Sequence, residues 1–71
     1  MSQEVTAPMA GKVWKIQVKA GAEVQAEDEL IILEAMKMEI PIYAEAAGKV
    51  SEIKVAEEAD VEANQVLMVL D

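Results

Sequence analysis

The chain has 71 residues, 54% of them hydrophobic, with fourteen acids against six lysines and a formal charge of −8, a size that supports one small core. It contains no cysteine and no histidine, which excludes disulfide frameworks and thiolate nucleophiles and removes the usual general base and commonest zinc ligand. The negative charge opposes binding to phosphate backbones and anionic lipid surfaces, so catalysis by the chain itself, metal binding, nucleic-acid recognition and membrane association are all disfavoured.

At the start, Met1-Ser2-Gln3-Glu4 has neither a basic n-region nor an apolar h-region, and no run of eighteen apolar residues follows anywhere; the expected setting is soluble and cytoplasmic. Gly11 opens the first apolar pattern, in which Val13, Ile16 and Val18 are spaced by three and then two. That departs from strict alternation and predicts a bent strand with a bulge. Trp14, a single aromatic ring, reads as a structural packing or covering residue and not as a base-stacking platform. Ala20-Gly21-Ala22 offers a turn through glycine, and Leu30-Ile31-Ile32-Leu33 reads as a strand covered on both faces. Across 26–40 the composition favours a helix ended by Pro41. Beyond Lys37, however, Met38, Ile40 and Ile42 alternate with Glu39, Pro41 and Tyr43, as in a strand with its proline at an edge.

A shift of 37 positions aligns 7–34 with 44–71 without a gap and with a dozen identities in 28 positions. They include Gly11 with Gly48, Val13 with Val50, Ile16 with Ile53, Leu30 with Leu67 and Leu33 with Leu70. Two copies of one supersecondary unit, too few for a solenoid, predict halves packed about a pseudo-twofold axis. A unit present twice should have one conformation, and the copy of Leu30-Ile31-Ile32-Leu33 is the Leu67-Met68-Val69-Leu70 run near the end of the chain. Strand is therefore preferred over helix for both. The second half carries a less comfortable turn at Glu57-Glu58-Ala59-Asp60, and Asn64 is its residue best suited to a left-handed conformation.

The segment 35–43 joins the halves, and Lys37 then lies at a reversal between two strands. No other lysine occurs between Lys19 and Lys49. Taken alone, such a lysine is a solvated charge whose stem covers apolar neighbours.

The string Glu34-Ala35-Met36-Lys37-Met38-Glu39 resembles the attachment motif of biotinyl domains, the biotin carboxyl carrier modules of biotin-dependent carboxylases, decarboxylases and transcarboxylases. The resemblance runs from about Val5 to Leu70 and takes in Ala7-Pro8-Met9-Ala10-Gly11 and Ala47-Gly48-Lys49-Val50. Met1 and the short length resemble the small free-standing attachment proteins, although a domain cut from a carboxylase would look the same. The resemblance implies one all-β domain over 1–71, a flattened barrel of two four-stranded antiparallel sheets related by a pseudo-twofold axis. No protruding thumb is expected, and the lysine lies at an exposed hairpin tip. It implies covalent biotin on Lys37, with Glu34, Ala35, Met36, Met38 and Glu39 as the flanking motif. The chain would be a monomeric carrier and not an enzyme, with three implied partners: a biotin protein ligase, a biotin carboxylase and a carboxyltransferase. Glu27, Glu58 and Asn64 depart from the family pattern, in which glycines mark these turns.

Some alternatives stay open on the residues alone. Glu34 and Glu39 are either recognised electrostatically by the ligase or simply solvated, and Met36 and Met38 are either adaptable contacts for successive partners or packing at the core's border. Lipoyl domains share the duplicated fold, but the methionines on both sides of Lys37 favour biotin. An unmodified acidic adaptor is the reading from another class.

Overall fold

A computed structural model describes residues 3–71. The alternating apolar positions form eight strands: β1 Gln3–Thr6, β2 Gly11–Ile16, β3 Glu23–Val24, β4 Glu29–Ala35, β5 Met38–Tyr43, β6 Gly48–Ile53, β7 Asp60–Val61 and β8 Val66–Leu70. They make two four-stranded antiparallel sheets, ordered β1-β8-β6-β3 and β5-β4-β2-β7. A step of 37 residues takes β2 to β6 and β3 to β7, and converts the first sheet order into the second. The sequence duplication is thus a pseudo-twofold in space. Within each half the short strand leaves for the other sheet, β3 to β6 and β7 to β2, so both halves contribute to both sheets.

The bulges fall where the spacing predicts them. Register shifts between Val13 and Lys15 in the β2–β4 pair and between Val50 and Glu52 in the β6–β8 pair. The extra residues are Trp14 and Ser51, equivalent positions in the two copies. One expectation is corrected: the continuous apolar runs are not covered on both faces. Further register shifts, between Glu29 and Ile31 and opposite Leu67, break the alternation so that Leu30 and Ile31, like Leu67 and Met68, are buried in succession. Ile32 and Val69 are left half-buried. β2 and β6 also end at Ile16 and Ile53. Val18 and Val55 pack against the core from the loops that follow.

Within 26–40, Glu29–Ala35 and the start of β5 are strands rather than helix, and their buried residues Leu30, Ile31 and Leu33 join the core. Among the described residues that core holds fourteen side chains, and all fall into pairs 37 apart: Val5 with Ile42, Ala7 with Ala44, Val13 with Val50, Val24 with Val61, Leu30 with Leu67, Ile31 with Met68 and Leu33 with Leu70.

Four tight turns complete the scaffold. Ala22 N–H donates to Lys19 O, Ala59 to Ala56 O, Asp28 to Gln25 O and Gln65 to Glu62 O, at 3.0–3.2 Å. The third residue of each has positive φ: Gly21 (93°), Glu58 (71°), Glu27 (72°) and Asn64 (69°). This is the pattern of a type II turn, which prefers glycine or asparagine there. Side chains reinforce two of the turns, since Asp28 Oδ2 accepts from Gln25 N–H at 2.8 Å and Gln65 Oε1 from Glu62 N–H at 3.0 Å.

Candidate functional site

β4 and β5 are joined by Met36 and Lys37 alone, with Ala35 and Met38 as the last paired residues. Both connecting residues have positive φ, 52° at Met36 and 66° at Lys37. A two-residue hairpin of this kind matches strand twist best when both central φ values are positive, and it normally uses Asn-Gly. Placing two long side chains there costs about 1–2 kcal/mol each. Backbone strain of this kind clusters at functional sites. Lys37 is exposed, and Met36 is 89% exposed. Met38 continues the inward-facing row of Ile42 and Ile40 past the end of the core, where it remains 62% exposed.

Glu34 and Glu39 are cross-strand partners one step behind the tip, and both are exposed. Directly opposed like charges disfavour the pair. Lys12 lies opposite Glu34 on its other side, with Asp60 beyond it. Among the described residues the ion pair formed is Lys54 with Glu52 at 3.3 Å, so the Lys37 amine and both glutamates are left to solvent or to a partner. Ala35 has a packing role: it is buried, and a Cβ placed on Gly11 would lie 3.2 Å from Ala35 Cβ and 2.7 Å from Glu34 O. A small side chain at Ala35 in β4 and no side chain at Gly11 in β2 allow these strands to close directly behind the hairpin.

Of the residues singled out in the sequence, Lys37, Met36, Met38, Glu34 and Glu39 are brought together in the open at one hairpin, and Ala35 supports them from inside. Trp14, expected as a packing or covering residue, stands 42% exposed on β2. It shares a depression of about 250 Å³ with Lys12, Val13, Glu34 and Glu58, and Lys15 Nζ lies 5.5 Å from its ring centroid. The signal that identifies it is the repeat itself. The exposed large apolar residues Met9, Trp14 and Tyr43 have Ala46, Ser51 and Thr6 as their counterparts 37 positions away. Burial does not explain those differences between the halves.

Chemically the tip offers one accessible primary amine and no neighbouring base, so it suits the acceptor role in an acyl transfer performed by another protein. Residues 3–70 match the biotin-requiring enzyme family of biotinyl and lipoyl domains, and the chain belongs to that family. It is 54% identical over 41 residues to a biotin/lipoyl attachment protein of Bacillus subtilis, a match covering 58% of this chain and 56% of that protein. It is 55% identical over 38 residues to the glutaconyl-CoA decarboxylase subunit gamma of Acidaminococcus fermentans, covering 54% of this chain and 26% of that subunit. The Kluyveromyces lactis urea carboxylase structure superposes on the whole chain with a TM-score of 0.94 and 32% identity, through 6% of its own length. The chain therefore matches only about half of the first relative and a small part of the larger ones. The residues fit covalent biotin: an amide to the cofactor's carboxyl needs one reachable amine, and Lys37 supplies it without an ion pair to break.

Proposed function

We propose that this chain is a biotin carrier domain of a biotin-dependent carboxylase, decarboxylase or transcarboxylase system, modified on Lys37. The observation that carries the reading is the two-residue, positive-φ hairpin that exposes Lys37 at the centre of Glu34-Ala35-Met36-Lys37-Met38-Glu39. An unactivated carboxyl group does not condense with an amine in water, and nothing at the tip activates it. A biotin protein ligase must therefore form biotinyl-adenylate from biotin and ATP, releasing pyrophosphate. Lys37 Nζ then attacks the activated carbonyl, the amide bond forms and AMP leaves. The domain contributes position, through a rigid hairpin that offers one amine, with Glu34 and Glu39 available for electrostatic recognition.

Once attached, biotin supplies a ring nitrogen able to carry carboxylate between a biotin carboxylase and a carboxyltransferase. The protein's part is to carry that arm, and tethering or complex formation raises the effective concentration at each site. We assign it as a monomer working in the cytoplasm. Intact mass after incubation with biotin, ATP and a biotin protein ligase should show one biotinyl addition, which Lys37→Arg abolishes. Modification only by a lipoate ligase would replace this reading with a lipoyl carrier, and full cellular activity of Lys37→Arg would replace it with an unmodified adaptor.

A further inference from the structure

The chain's only sulfur nucleophiles are thioethers, because it has five methionines and no cysteine. Those thioethers are distributed very unequally. Met36 is 89% exposed, Met38 62% and Met9 40%, whereas Met68 is fully buried at 0%. The two most accessible of these side chains thus flank Lys37 on either side, in a hairpin where Met36 and Lys37 are the two residues between the last paired residues of β4 and β5. Oxidation of methionine follows access, and it converts a flexible apolar side chain into a polar, chiral one.

We propose that Met36 and Met38 are a peroxide-oxidisable pair that controls acylation of Lys37, an inference that rests on reading Lys37 as the biotin acceptor. In each step hydrogen peroxide transfers one oxygen to sulfur. The sulfur loses two electrons, the O–O bond breaks, and the second oxygen leaves as water. A dithiol acting through a methionine sulfoxide reductase reverses the change, removing the oxygen as water and ending as a disulfide. The chain has no cysteine to supply those electrons, so recovery depends on a separate enzyme. The effect on Lys37 follows from desolvation. A ligase that closes over the tip covers two thioethers at little cost in the reduced form, but it must cover two strong acceptors in the oxidised form. An acceptor buried without a donor weakens a complex by about tenfold or more.

The test treats the unmodified protein with hydrogen peroxide, maps sulfoxides by peptide mass spectrometry, and then measures initial biotinylation rates with ligase, ATP and biotin. Sulfoxide should appear at Met36 and Met38 before Met68, and labelling should slow by about tenfold and recover after treatment with reductase and dithiothreitol. In Met36→Leu/Met38→Leu the ratio of treated to untreated rates should stay near one, whatever the untreated rate. Labelling at the untreated rate despite full oxidation of both residues would overturn the proposal, as would a loss that the reductase cannot restore or equal peroxide sensitivity in the leucine variant. Failure of the untreated protein to accept biotin at all would instead remove the carrier reading.

Discussion

Among the described residues, five other than glycine have positive φ: Glu27, Met36, Lys37, Glu58 and Asn64. They carry the same strain for different reasons. Glu27 and Glu58 occupy the third position of tight turns whose equivalents in the other half are Asn64 and Gly21. Nothing in their surroundings requires a carboxylate at that backbone position. A left-handed conformation costs an ordinary residue about 1–2 kcal/mol, while glycine's extra unfolded-state entropy offsets about half of that gain. Glu27→Gly and Glu58→Gly should therefore each stabilise the fold by about 0.5–1 kcal/mol, read as a higher denaturation midpoint at unchanged slope. Gly21→Ala should destabilise by a similar amount, and a gain there would refute the turn argument. Met36 and Lys37 hold the same conformation at the hairpin between β4 and β5, where both side chains are exposed.

At the scale of elements, each half starts a strand with a glycine packed against a neighbouring backbone carbonyl. A Cβ on Gly11 would meet Glu34 O at 2.7 Å, and a Cβ on Gly48 would meet Asp71 O at 2.5 Å. These are equivalent contacts in the two copies, but only the first lies directly behind the hairpin of β4 and β5. Overpacking of this kind costs about 1–3 kcal/mol, so Gly11→Ala and Gly48→Ala should lose comparable stability in denaturant titrations. Their effect on ligase kinetics should differ. Gly11→Ala displaces Glu34 and Ala35 and should slow biotinylation under conditions where both variants remain folded, whereas Gly48→Ala should be labelled at the parent rate. Equal slowing would mean that stability, and not the position of the hairpin, governs the reaction.

Over the whole molecule the halves interlock. Gly21 N–H donates to Val50 O and Val50 N–H to Ala22 O, while Glu58 N–H donates to Val13 O and Val13 N–H to Ala59 O. Each half's turn closes a bulged strand of the other, and the paired core lies between the two sheets. Neither half completes a sheet alone, so the structure should unfold as one unit. Leu33→Ala and Leu70→Ala, fully buried twins, should each cost about 2–5 kcal/mol. Both should shift a single transition seen identically by fluorescence and circular dichroism. Separate transitions for the two probes, or a loss confined to one variant, would show that the halves fold independently.

Much of this was legible in the residues because the chain states its pattern twice. The ungapped repeat identified strands where composition favoured a helix, located both bulges, and set Lys37 at the junction of the copies; the attachment motif then singled out its amine. Local periodicity reports only which residues alternate toward a buried face. It did not reveal that Ile32 is left half-buried between Ile31 and Leu33, because that depends on the register of β4 against β5. Nor did it show that glutamates hold left-handed turns, since the surrounding sheets impose that backbone, or that Trp14 lies outside beside Glu34. By itself the sequence determined the duplication and the β architecture, and it singled out Lys37 for the proposed attachment. The tertiary structure decided which strands cross between the sheets, which side chains remain exposed around that lysine, and where strain is held, because each of these depends on pairing between residues distant in the chain.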